Sequence, residues 1–147
     1  MIEDNIGIIA NVELKLYGPD GGLKDFREVH NTVTTGGKYG VAAQVLAVPG
    51  LPTPGWMEVG RGTPTSTLLA DYIAGSRTAL DSKTRTNAVV TMICTFPAAT
   101  GTGPITEAGV FDVVTENTVN MWMSAGFLII NKGALDSLVI TWTLTVT

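Results

Sequence analysis

The chain has 147 residues, nine Lys and Arg against thirteen Asp and Glu, and a net charge of −4. At 15.4 kDa it fits one domain with one core, and its scattered cations leave no basic footprint for a phosphate backbone, which argues against nucleic acid as a partner. Charged residues make up only 15% of the chain, against about 25% in typical globular domains, and the mean hydropathy is +0.29, so burial between subunits is expected.

Met1-Ile-Glu-Asp-Asn is acidic where a secretory signal needs positive charge, and no apolar run approaches the ~20 residues of a membrane span. The expected location is a cytoplasm or a particle assembled in one, with no membrane partner. Ile6, Ile8 and Ile9 have no periodic partners, which suggests an N-terminal arm at 1–10 on a single β domain of 1–147.

Asn11 to Tyr17 alternates cleanly, with Val12, Leu14 and Leu16 on one face, and Gly-Pro-Asp-Gly-Gly22 supplies a tight turn. The return arm, Leu23 to Val33, places Phe26 and Val29 three apart, which suggests a bulge. A Thr cap and the spacing of Tyr39, Ala42, Ala43 and Leu46 predict one short helix over 37–47. Val48 to Gly55 reads as a rigid exposed connector with three prolines. Trp56 to Gly60 resumes a strand, an ordered loop follows from Arg61 to Thr67, and Leu68 to Leu80 reads as mostly irregular.

From Asn87 onward the β signals are strong: Ala88 to Phe96, Ile105 to Val114, Val119 to Ile130 and Ser137 to Thr147, separated by Gly, Pro, Asn and Asp. In the last of these Leu138, Ile140, Trp142, Leu144 and Val146 share a face opposite Val139 and four threonines. That period of two runs to Thr147, so a rigid scaffold is expected rather than a tail. Seven or eight antiparallel strands predict an all-β fold, a β-sandwich or jelly-roll-like arrangement.

Chemistry-bearing motifs are sparse. His30 is the single histidine and no Gly-x-Ser-x-Gly turn accompanies it, so no catalytic residue is assigned. One His and one Cys cannot furnish a zinc site, and Cys94 in an apolar run reads as a buried thiol. Thr35-Gly-Gly-Lys-Tyr39 lacks the Ser or Thr of a phosphate loop, and the Gly60-Arg-Gly62 and Gly101-Thr-Gly103 turns lack a third glycine. Glu107 and Asp112 differ by an odd number and should point to opposite faces of a strand, which disfavours a glycosidase pair. Asp20 and Asp25 read as solvated turn residues. Neither metal, cofactor nor small-molecule substrate is expected. Trp142 reads as core, while Trp122 opposes Met121 and Met123 and needs a second sheet or a neighbouring subunit over one face.

Three segments together resemble a family of structural proteins of tailed-bacteriophage virions, met as capsid decoration or cement proteins and as tail-associated proteins. They are Met57 to Ala70, Ile105-Thr-Glu-Ala-Gly-Val-Phe-Asp112 and Ile130-Asn-Lys-Gly through Leu-Val-Ile-Thr-Trp-Thr-Leu-Thr145. The resemblance covers mainly Trp56 to Thr147 and does not separate head from tail. The Val48 to Gly55 loop looks expanded, and Arg61 stands where a small or polar residue is usual in the family.

The resemblance implies an all-β fold, no enzymatic activity, and oligomers, commonly trimers, set on the major capsid protein lattice. The leading expectation is a capsid cement protein on the virion surface, binding the major capsid protein and itself. The alternatives are a tail tube, baseplate or tail-tip subunit, and a carbohydrate-binding virion module with Trp56 and Tyr72 as platform. Candidate contact residues are Ile6, Ile8 and Ile9 of the N-terminal segment, Leu51 and Pro52 of the connector, and Trp56.

Overall fold

The computed structural model describes residues 7–45 and 52–147. Its strands are β1 (Ile8–Tyr17), β2 (Leu23–His30), β3 (Thr32–Val33), β4 (Trp56–Gly60), β5 (Thr78–Ala79), β6 (Ser82–Thr86), β7 (Val89–Phe96), β8 (Gly103–Phe111), β9 (Met121–Lys132) and β10 (Ser137–Val146), with one helix, α1 (Thr35–Gln44). Two five-stranded sheets result, sheet A in the order β2-β1-β10-β7-β6 and sheet B in the order β3-β9-β8-β4-β5. All of these pairings are antiparallel, and the two sheets face one another as an all-β sandwich.

Alternation sets the core. Three rungs of sheet A align apolar side chains inward: Val12, Trp142 and Met92; Leu14, Ile140 and Cys94; Leu16, Leu138 and Phe96. All nine are at most 3% exposed, and sheet B meets them with Met57, Val59, Ala108, Val110, Met123 and Ala125. Burial at Trp142 is complete, and its indole N–H must therefore find an acceptor. Asn31 provides it: in the amide orientation that satisfies both groups, its oxygen accepts from Trp142 Nε1 at 2.7 Å and its nitrogen donates to the Ala10 carbonyl at 2.6 Å.

Asn31 is also where the chain leaves sheet A for sheet B. The segment expected as one return arm is two strands, β2 in sheet A and β3 in sheet B. Phe26 and Val29 need no bulge between them, because Phe26 faces out and Val29 faces in; the register shift lies instead at Leu16/Tyr17. On the other side of the sandwich, β5 in sheet B leads directly to β6 in sheet A, stitched by Leu80 N–H to the Gly55 carbonyl and Asp81 N–H to the Ile93 carbonyl. Of the late strands, β7 and β10 lie in sheet A and β8 and β9 in sheet B. In the first hairpin Gly21 takes φ +81°, a left-handed conformation that suits glycine.

The helix forms where the Thr cap predicts, slightly earlier in the chain, at Thr35–Gln44. Thr34 Oγ1 accepts from Gly37 N–H at 3.0 Å and donates to the carbonyls of Met121 (2.5 Å) and Trp122 (3.0 Å), which ties the helix start to β9. Trp122 belongs to the core between the sheets, and α1 covers it as well. A register shift at Val110/Phe111 leaves it without a partner on β8, and α1 seats on it through two glycines. A Cβ at Gly37 would stand 2.1 Å from the Trp122 carbonyl oxygen, and one at Gly40 would stand 2.2 Å from its ring. Gly37→Ala should therefore lift α1 from β9 and cost about 1–3 kcal/mol as overpacking does. Urea unfolding measures the loss, and the near-ultraviolet dichroism of Trp122 should weaken with it.

Candidate functional site

The candidate contact residues do not converge. Ile8 and Ile9, expected in an arm, open β1 opposite Val146 and Thr145, with Ile8 half-buried and Ile9 exposed. Pro52 is exposed, while Trp56 is half-buried at the start of β4 opposite Phe111 and Ala79. Tyr72 is half-buried against Leu69, Phe111 and Met121. Ile6 and Leu51 lie outside the described residues. His30 pairs its Nδ1 with Asn11 Oδ1 at 2.7 Å.

The polar organisation missed by sequence lies on the outer side of sheet B. Alternation along β4 and β8 sends Met57, Val59, Ala108 and Val110 into the core, hence Glu58 and Glu107 to the opposite face. Both are nevertheless buried, at 1% and 0% exposure, because the loop from Arg61 to Arg77 folds over them. The Glu107 carboxylate accepts three backbone N–H groups of that loop: Gly62 at 3.0 Å, Asp71 at 2.9 Å and Ala70 at 3.1 Å. Leu69 and Tyr72 pack beneath the loop on Phe111 and Met121 as a second small core.

Arg77 closes the loop. Its Nε donates to Glu58 Oε2 at 2.9 Å with both side chains 2% exposed, its Nη1 donates to the Val113 carbonyl at 2.7 Å, and its guanidinium lies 3.6 Å above the Phe111 ring centroid. Glu116 accepts the Arg77 backbone N–H at 3.2 Å. Burial raises the Glu58 carboxyl above its ordinary value, and Arg77 opposes that rise by hydrogen bond and charge. Asp112, which the odd spacing sets apart from Glu107, follows β8 and accepts the Trp122 indole N–H at 2.9 Å. Glu107 is bound entirely to backbone of the loop, so the two carboxylates hold structure in different places.

At the other end of the sandwich Lys132, 2% exposed, donates to the carbonyls of Pro97 (2.9 Å) and Asp136 (2.7 Å). Burial lowers its ammonium below the ordinary lysine value. Asp136 accepts from Lys24 Nζ at 2.8 Å and Gly133 N–H at 2.8 Å, which together hold its carboxyl below the usual range. Cys94 is fully buried, and burial pushes its thiol up to about 12, so it is a core side chain and not a nucleophile at neutral pH. Among the described residues no group of three or more His, Cys, Asp and Glu is placed to hold a metal ion.

Two surfaces stand out among the described residues. The outer face of β6, β7 and β10 is a band of Ser82, Thr84, Thr91, Ile93, Thr95, Val139, Thr141, Thr143 and Thr145, set in register and without a charge. Between the sheets, beside α1, lies an apolar crevice of about 230 Å³ whose walls include Val41, Val90, Met92, Trp122, Met123 and Leu144, with Lys83 at its rim. No family model, curated protein or solved structure matches this chain.

Removing one partner of the buried pair strands a charge. Arg77→Met should cost about 3–5 kcal/mol, and the double change Glu58→Leu with Arg77→Met should return most of it. Denaturant unfolding of the three variants closes the cycle. Asp136 gives a pH signature of known sign: its folded pKa is depressed, so its contribution is complete above the ordinary aspartate value of 3.8 and is lost as pH falls through the lower folded value. Asp136→Asn should flatten that acid limb in a thermal-melt series across pH.

Proposed function

We propose that this protein is a non-enzymatic structural protein of a tailed-bacteriophage virion, a capsid decoration protein that binds the major capsid protein lattice and itself. The supporting observation is the asymmetry of the two sheets. Over β4 and β8 the outer face of sheet B is covered by the chain's own Arg61 to Arg77 loop, whereas the β6-β7-β10 strands of sheet A present hydroxyl and aliphatic side chains, with the Asp81 carboxylate bonded to Thr95. A register-aligned face of hydroxyl and aliphatic side chains suits a neighbouring subunit. The resemblance of the Met57, Ile105 and Ile130 segments to virion proteins and the 15% charge content point the same way.

Magnitude sets the manner of binding. Three strands ~4.8 Å apart and seven residues long at ~3.3 Å each cover roughly 300 Å², well under the ~800 Å² per partner of a standard stable interface. Such a face contributes weakly alone and strongly when repeated over a symmetric shell, where each added contact is effectively intramolecular.

Thr143→Lys should leave the fold within about 0.5 kcal/mol of the parent, as surface changes do, yet lower incorporation into particles. Equal incorporation would show that the face is only solvated. Gold-labelled protein imaged on purified particles should decorate heads, and label confined to tails would transfer the assignment to a tail subunit.

A further inference from the structure

A sandwich has strand edges as well as faces, and an edge with free backbone groups is a template for another strand unless it is short, charged or covered. Sheet A ends on β2, which carries Lys24, Asp25, Arg27 and Glu28, and on β6, which carries Lys83 and Arg85. Sheet B ends on β3 and β5, two residues each, so β4 and β9 form most of its edges. The chain closes β4 with its own loop: Ile73 N–H donates to the Val59 carbonyl and Arg61 N–H to the Asp71 carbonyl. The β9 edge is different. Because β3 pairs only with Met123 and Ser124, β9 has no strand on that side from Ala125 to Lys132 among the described residues.

Thr34 N–H donates to the Trp122 carbonyl, so alternation turns the backbone groups of Trp122, Ser124 and Gly126 toward this edge. Gly126 is exposed and lines a cleft with His30, Thr32 and Pro64. Just beyond it, Glu107 pairs with Gly126 and Ile105 with Ile130, so three residues of β9 stand opposite one of β8. Such a bulge can blunt an edge. This one carries no charge at its crest but Leu128, 81% exposed, and Ile129, 49% exposed.

We infer that the β9 edge from Gly126 to Asn131 is a strand-pairing site, and that its occupant is the same edge of a second copy, antiparallel about a two-fold axis. A strand edge selects an extended backbone that has a free edge of its own. Among the described residues this chain offers one, since its other edges are charged, two residues long or closed by the loop. Pairing about a two-fold sets like against like, which a charged strand resists and the uncharged run from Met121 to Asn131 permits. Leu128 and Ile129 of the two copies then cover one another. The chain's own N-terminal segment departs from the other end of the sandwich, where Gly7 is bound to Thr147. Lys132, at the far end of the β9 edge, reaches the Pro97 carbonyl beside the rung of Phe96, Leu138 and Leu16, nearly the whole of β1 away.

Six residues at ~3.3 Å and a sheet thickness of ~10 Å give roughly 200 Å² per copy against the ~800 Å² of a standard interface, so the pair is weak between free molecules and gains where copies are held side by side. The inference concerns how two copies meet and is independent of which particle the protein belongs to.

Two measurements on the full chain test it. Under mild oxidation Leu128→Cys should form a disulfide-linked dimer at least tenfold faster than Val114→Cys, whose site is exposed on the loop after β8, while the buried Cys94 stays unreactive in both. Equal rates would overturn the inference. By hydrogen exchange the Gly126 amide should be several-fold slower in millimolar than in micromolar protein, and Leu128→Lys should abolish that dependence without moving the thermal melt. Exchange that is fast at both concentrations would overturn the pairing. So would Gly126 protection that ignores concentration and disappears when residues 2–6 are deleted, because the chain's own N-terminal segment would then occupy the edge. Neither measurement involves a particle, so failure here leaves the virion reading standing, and unlabelled particles would leave this pairing standing.

Discussion

The carboxylate of Glu107 governs how sheet B is finished. Alternation places it on the outer side of the sheet, and once it is buried there it requires donors, which Gly62, Ala70 and Asp71 of the Arg61 to Arg77 loop supply from their backbone N–H groups. Gly60 follows from the same constraint, since a Cβ at that position would stand 2.4 Å from Glu107 Oε1. With the loop fixed, Leu69 and Tyr72 gain their place on Phe111 and Met121, and Arg77 arrives over Phe111 to meet Glu58. One buried charge thus determines the course of some seventeen residues and turns an exposed sheet face into an interior one.

Several of the buried polar groups hold backbone. Lys132 holds two carbonyls, Thr34 two more and an amide, Arg77 a carbonyl, and Glu107 its three amides. Polar burial is spent on fixing loops and crossovers to the sheets, where regular ladders cannot reach. Arg77 Nη2 and Asp112 Oδ1 are buried without a partner among the described residues, both beside the same outer core.

Much of the fold is written in alternation. Each arm of the three inner rungs, β1, β7 and β10, has a one-sided apolar face, and a half-buried strand in the middle of a sheet leaves that signal strongly. The β6 strand leaves none, because Ser-Lys-Thr-Arg-Thr is an edge strand with no apolar face to show, and its charges are the kind that discourage edge pairing. Division of the strands between sheets was equally silent. The turns at Asn31 and Leu80 carry the chain across the sandwich through contacts made with residues far away, Trp142 and Gly55 among them. The charged site was half legible: Glu107 could be placed on a strand face, but only the fold of a distant loop decides that it is buried. Arg77 sat in a stretch read as irregular, which it largely is, and its pairing with Glu58 is a fact of tertiary structure alone.

The pairing of β1 with β10 carries a mechanical consequence. These strands run antiparallel through ten rungs in the centre of sheet A, and Gly7 and Thr147 hydrogen-bond to each other at one end of the ladder. Tension applied between those two residues would load the rungs one after another, as a zipper opens, and the ladder would resist with the strength of a single rung. Tension entering through opposite ends of the two strands would instead strain all ten rungs at once. A domain built this way is weak when pulled between Gly7 and Thr147 and strong when gripped across its faces.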